Sequence, residues 1–154
     1  MAVFRYRMQN LLNIKTQLKT QAEMEFGLAQ ARLNDEIARL ENMKARRQDY
    51  MDEGHRLRES LLDVMKIREN ERAVEMMDDL IEGQKENVRL AERAVEAARA
   101  RLTEAMKEVK AQERLRERAF EEFLEEEKHT EAREIDELVS YRYGQKETDE
   151  EDGS

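Results

Sequence analysis

The sequence predicts an all-α protein built as a long antiparallel two-helix coiled-coil hairpin. Three observations carry that expectation. The 154 residues include no proline and only 5 glycines, and 42% of them are charged, a profile typical of long helices and coiled coils. Apolar residues recur at heptad spacing through the second half. The two ends of the chain carry opposite charge. Aromatic residues make up only 5%, so the chain can bury a narrow seam rather than a globular core.

The second half gives the clearest pattern. Val74, Ile81, Val88, Val95, Leu102 and Val109 recur every seven residues, and Phe123 returns to phase after a skip at Arg116. Three residues after each come Met77, Gln84, Ala91, Ala98, Ala105, Gln112 and Ala119. This is an a/d seam, one side β-branched and the other mostly alanine, where small residues let a partner helix approach closely. The predicted second helix covers about 63–143. Met77 and Met106 read as seam fillers, since methionine adapts to irregular gaps.

The first half follows another rhythm. Leu18, Ala22, Phe26, Ala29, Leu33, Ile37 and Leu40 are spaced 4-4-3-4-4-3, an eleven-residue repeat. Met8, Leu11 and Ile14 extend this stripe towards the N-terminus. Heptad spacing starts at Leu40 and runs through Met43, Tyr50, Leu57, Leu61 and Val64, with Arg47 and Gly54 as defects. The predicted first helix covers about 4–57. The join falls at about 54–66, with Gly54 as a breaker and Ser60 or Asp63 as an N-cap. A break at Asn70, or an unbroken rod, are the rival arrangements.

Charge decides between them. Residues 1–22 carry Arg5, Arg7, Lys15 and Lys19 and no acid, while residues 121–137 carry nine acids against Lys128 and Arg133. An antiparallel fold about residue 60 brings these stretches side by side; an unbroken rod leaves them almost 200 Å apart at about 1.5 Å per residue. Each exposed pair is worth only about 0–1 kcal/mol, which is enough to disfavour registers that oppose like charges. The expected hairpin is about 80–90 Å long, with Leu and Val on two facing stripes each contributing roughly 1.5–3 kcal/mol.

Residues 145–154, QKETDEEDGS, contain no apolar side chain and are expected to form a disordered acidic tail. Just before them lies REIDELVSYRYGQ. There, Ile135, Leu138 and Val139 read as the last turns of the second helix, and Gly144 is placed to end it. With a turn near residue 60 this stretch lies beyond Met1. Its apolar and tyrosine face is then either a contact for another molecule or packed back on Phe4 and Tyr6.

Several function classes lose support. The net charge of −9 argues against nucleic acid as the main partner. There is no cysteine, hence no disulfide or thiolate metal site. No uncharged stretch approaches the roughly 20 residues needed to span a bilayer, and the N-terminus lacks the apolar core of a secretory signal. Its basic, acid-free start has a faint transit-peptide character, but an amphipathic helix explains it better. His55 and His129 are far apart and offer no paired ligand spacing. No phosphate-cradling loop occurs, and the many carboxylates lie on solvated helix faces. No enzyme activity, metal or cofactor is expected. The nine methionines also allow a pliable binding surface near Met43, Tyr50 and Leu80.

The opening FRYRMQNLLNIKTQLKTQAEMEFGLAQARLNDEIARLE resembles the start of the flagellar export protein FliJ family in its Gram-positive form. The ending REIDELVSYRYG and the mid-chain IRENERAVEMMDDLIEGQ extend the resemblance over residues 1–145. It implies a cytoplasmic component of the flagellar type III export apparatus, peripheral at the inner face of the cell membrane. It implies an antiparallel two-helix coiled coil resembling the central stalk of rotary ATPases. The implied partners are the hexameric export ATPase, whose pore receives the paired chain ends, the cytoplasmic part of the membrane export gate, and export chaperones. Matched position by position, the gate surface comprises Arg39, Met43, Arg46 and Tyr50 on the first helix. On the second it comprises Ala73, Met77, Leu80 and Gln84. The family's aromatic is absent at Arg46 and Ala73, and Met77 also falls on the predicted seam. The implied ATPase contacts are Phe4, Arg5, Tyr6 and Arg7 at one end, with Ile135, Leu138 and Tyr141 at the other. Two readings of other classes compete: a structural tether or adapter assembled as a parallel dimer, and a membrane-surface adapter using the basic N-terminal helix.

Overall fold

The structure, a computed structural model, describes residues 2–153. It contains two helices, α1 (Gln9–Glu59) and α2 (Val64–Asp152). The fold is an antiparallel two-helix hairpin. The chain divides into two compact units, one running from Gln17 to Met106 and the other made of the chain ends, up to Thr16 and from Lys107.

In the first unit the turn occupies residues 60–63. Of the two cap candidates, Asp63 serves: its Oδ1 accepts from the backbone N–H groups of Met65 and Lys66 at 3.1 and 3.3 Å. That satisfies two of the donors a helix start leaves open. The end of α1 is closed by Arg58, which donates to the Gly54 carbonyl and pairs with Glu71 of α2 at 3.2 Å. A guanidinium there also suits the negative end of the helix dipole. The rival break at Asn70 does not occur, because α2 passes through it.

The α2 side of the seam follows the heptad. Met77, Ile81, Val88, Ala91, Val95 and Ala98 are buried. The α1 side differs from the eleven-residue repeat expected for it. Lys19, Ala22, Phe26, Ala29, Leu33, Glu36, Leu40, Met43, Arg47, Tyr50, Gly54 and Leu57 are buried or half-buried, a 3-4 alternation throughout. Leu18 and Ile37, expected on the stripe, are exposed. The physical reason is the partner. A strict heptad on α2 stays in contact only with a helix supercoiled to the same 3.5-residue period, and an eleven-residue stripe rotates away from it. Met106, one residue off the heptad, is likewise exposed.

Polar residues are thereby drawn into the seam, and Glu36, Gln84, Asn70 and Arg47 each find a partner there. Gln84 Nε2 donates to the Glu36 carbonyl at 2.8 Å and to Glu36 Oε2 at 2.6 Å. Glu36 also pairs with Arg39, and Gln84 Oε1 accepts from Asn87. Asn70 Nδ2 donates to the Tyr50 carbonyl at 2.7 Å. The two apparent defects have functions here. Arg47 pairs with Asp78 across the helices. At Gly54, a Cβ would lie 2.5 Å from Asn70 Oδ1, so its lack of a side chain makes room for the buried amide.

In the second unit α1 starts at Gln9 rather than near residue 4. Residues 2–6 are non-helical and run into a turn, where Gln9 N–H donates to the Tyr6 carbonyl at 3.1 Å. This strap packs on α2. Phe4 meets Phe120 edge-on at 5.1 Å and Phe123 at 5.5 Å, beneath Arg116. Tyr6 Oη donates to Gln112 at 3.0 Å. Here Leu12 and Val109 are buried, while Met8 and Ile14 are exposed. Lys15 pairs with Glu108 at 2.9 Å.

The charge argument therefore needs a correction. Lys15 pairs with Glu108, outside the acidic stretch, whereas Arg5 and Arg7 line a surface depression with Glu122 and Glu126 at the start of it, without an ion pair among the described residues. Phe4 lies level with Phe120 and Phe123, and from Lys128 to Asp152 every residue of α2 is exposed. The helix bound is corrected too: α2 runs through Gly144 to Asp152, where an end near 143 and a disordered tail are expected from sequence. A lone glycine costs a helix only about 1 kcal/mol. Thr148 Oγ1 donates back to the Gly144 carbonyl at 2.6 Å, and Gln145 Nε2 donates to Tyr141 Oη.

Four variants check this packing. Gly54→Ala should lower stability by about 1–3 kcal/mol in urea unfolding, since the new methyl displaces the Asn70 amide. Gly27→Ala should raise it by about 0.5–1 kcal/mol, because nothing lies within 4 Å of a Cβ there. Gln84→Ala should cost about 1–3 kcal/mol by leaving Glu36 Oε2 and the Glu36 carbonyl without their cross-helix donor. Replacing both by leucine should recover most of that loss, as apolar pairs often replace buried polar ones without penalty.

Candidate functional site

Two groups of residues were singled out from sequence, one within each unit. The Gln84–Glu36 and Asn70–Tyr50 bonds set residues 36–50 of α1 level with residues 84–70 of α2. The stripe Arg39, Met43, Arg46 and Tyr50 and the stripe Ala73, Met77, Leu80 and Gln84 therefore occupy the same stretch of the helix pair. Each has the spacing i, i+4, i+7, i+11, which keeps its members near one face.

Their availability differs. Arg39 and Arg46 are exposed, Leu80 is exposed, and Met43, Tyr50 and Ala73 are half-buried at the seam edge. Met77 is only 3% exposed and Gln84 only 4%. Neither can touch a partner while the helices stay together. For Met77 the two sequence readings, seam and partner contact, competed, and its burial places it in the seam. Gln84 belongs to the register-setting bond with Glu36. Six residues remain as a surface: two guanidinium groups bordering Met43, Tyr50, Ala73 and Leu80. The apolar group exceeds what the seam buries: Leu80 is exposed and Met43, Tyr50 and Ala73 are half-buried.

Glu36 and Asn70 were missed as seam residues. A signal for Glu36 exists: counting back by sevens from Tyr50 and Met43 reaches Met43 and then residue 36. A stripe drawn through apolar residues alone passes from Leu33 to Ile37 and steps over it. Asn70 sits seven residues before Met77, on the same α2 phase as Gln84.

In the other unit, Phe4 and Tyr6 are engaged with α2 as described, and Arg5 and Arg7 are exposed. Ile135, Leu138 and Tyr141 are 60%, 61% and 66% exposed. The strap reaches Phe120 and Phe123, not the 135–145 stretch, so the alternative that this stretch packs back on Phe4 and Tyr6 is overturned. From Lys128 to Asp152 every residue of α2 is exposed. Ile135, Leu138 and Val139 lie on one face at i, i+3 and i+4, with Tyr141 one turn beyond Leu138. This is an amphipathic helix end with no facing helix within its unit.

Among the described residues no group of three His, Cys, Asp or Glu is placed to hold a metal ion. No helix is long and apolar enough to cross a membrane.

Comparison with known proteins places these features. Comparison with curated proteins gives no match. Among solved structures, CT670 of Chlamydia trachomatis, described as a YscO homolog, is similar with a TM-score of 0.72 and 24% identity, covering 92% of this chain and 96% of that one. At that identity the likeness establishes the fold. The family model described as flagellar FliJ protein matches residues 4–148, which takes in the aromatic strap, both helices and the unpaired end of α2. The chain belongs to the flagellar FliJ protein family, and with it to the components of a type III protein export apparatus.

Proposed function

We propose that this protein acts as a non-catalytic, stalk-like subunit of the export apparatus, engaging the hexameric export ATPase with its chain ends. The observation that carries the reading is the bare end of α2. A single helix in water gains nothing from its apolar face, yet residues 128–152 are helical and keep Ile135, Leu138, Val139 and Tyr141 exposed. Such a face is stabilised when a ring or groove closes around it. The acids that surround it suit a cationic lining, and the aromatic strap at Phe4 and Tyr6 stiffens the helix just before it becomes solitary.

The six-residue surface formed by Arg39, Met43, Arg46, Tyr50, Ala73 and Leu80 supports a second contact, with the cytoplasmic part of the membrane export gate. Its chemistry is a small adaptable apolar patch flanked by two arginines. Escort of export chaperones belongs to the same reading, as does a cytoplasmic location at the inner face of the membrane through these partners.

Purified protein should change the assembly or turnover of its cognate export ATPase. The triple variant Ile135→Ser, Leu138→Ser, Tyr141→Ser should abolish that effect while helicity and melting temperature stay unchanged, because none of the three is buried in the chain. An unchanged ATPase response with the intact protein would remove the stalk role. Met43→Ala with Leu80→Ala should weaken gate binding about tenfold or more without altering the ATPase response.

A further inference from the structure

The hairpin turn carries a feature that neither contact uses. Four of the five residues from 61 to 65 are large and apolar, and all four are exposed: Leu61 at 98%, with Leu62, Val64 and Met65 at 60% or more. Asp63, the fifth, is turned to the backbone as the cap of α2. Apolar side chains clustered at a protruding turn make a convex patch, whereas isolated exposed leucines need no explanation. None of the four lies in the seam, so the fold does not require them to be apolar.

The surrounding charge reverses the sign of the molecule. The chain carries a net −9, yet residues 55–68 hold Arg56, Arg58, Lys66 and Arg68 against Glu59 and Asp63. Arg58 is committed to Glu71. Arg56, Lys66 and Arg68 are exposed and make no ion pair among the described residues. The arrangement is therefore an apolar tip with a collar of available cations one turn behind it.

We propose that the turn is a membrane-surface anchor, inserting Leu61, Leu62, Val64 and Met65 into the headgroup and upper acyl region of an anionic bilayer. A fluid bilayer accepts a convex apolar tip of any outline, and its lipid phosphates meet the cation collar at the depth where the tip is buried. The long acidic helix end of the other unit carries the wrong sign for that surface. This inference does not rest on the ATPase or gate contacts and can stand or fall without them.

The test uses the full chain and vesicles of phosphatidylcholine, with and without about 30% phosphatidylglycerol. Co-sedimentation should occur with the anionic vesicles and weaken as salt is raised. Leu61→Ser with Leu62→Ser, and separately Arg56→Glu with Lys66→Glu, should each reduce binding about tenfold with helicity unchanged. Because the chain has no cysteine, Ser60→Cys carrying an environment-sensitive dye reports the tip directly, and its emission should shift to the blue on anionic vesicles. Absence of binding overturns the proposal and leaves a protein pocket as the occupant. Binding that survives both tip variants, or a dye that stays in a water-like environment, also overturns it and points instead to the basic strap at Arg5 and Arg7.

Discussion

The match between two heptads is the constraint on which the rest of this protein depends. A chain with 5% aromatics has no core to fall back on, so nearly all its burial comes from one seam. On α2 that seam is built from valine, isoleucine and alanine in strict seven-residue order. The alanine side lets the partner backbone approach, and close approach makes every intervening side chain count. α1 is less well patterned, but it has no alternative partner. It adopts the period of α2 and takes Lys19, Glu36, Arg47 and Gly54 into the seam as a consequence.

The polar seam residues explain how such a uniform interface avoids slipping. Apolar heptads repeat themselves, so registers seven residues apart differ little in apolar burial. The buried amides break that degeneracy. Gln84 must find Glu36, and Asn70 must find the Tyr50 carbonyl beside a residue with no Cβ. Each bond adds only about 0.5–1.5 kcal/mol, but a slipped register strands a buried polar group at a cost of about 1–3 kcal/mol. Specificity comes from what the wrong register would lose. The same bonds bring the Arg39–Tyr50 stripe level with Ala73 and Leu80, so the mid-chain surface is a by-product of the register.

The unit formed by the chain ends works differently. Its α1 portion is short, and the strap before Gln9 abandons helix to place Phe4 against Phe120 and Phe123 and Tyr6 against Gln112. An aromatic–basic alternation, FRYR, suits an extended segment lying on a helix: alternate residues face opposite ways, so Phe4 and Tyr6 pack while Arg5 and Arg7 stay in water. No proline or glycine marks the boundary between this strap and α1. From Lys128 on the second helix is exposed on all sides, held by its own hydrogen bonds and the strong helix propensity of its Glu, Lys, Arg and Leu residues.

The amino-acid sequence by itself determined the helicity, the α2 seam and the antiparallel topology. Each follows from local or periodic properties: absent proline, a seven-residue repeat, and charge that differs between the ends. It also made the exposed face of Ile135, Leu138 and Tyr141 legible, since a turn near residue 60 leaves that stretch without a counterpart. Tertiary structure alone decided which polar residues enter the seam, because a buried Glu36 is tolerable only with Gln84 facing it. It decided that Met77 and Gln84 are seam residues unavailable to a partner, and that Gly54 is a fitted contact where sequence suggested a breaker. It also placed the start of α1. Periodicity records what one helix prefers; the partner decides which of those preferences can be met together.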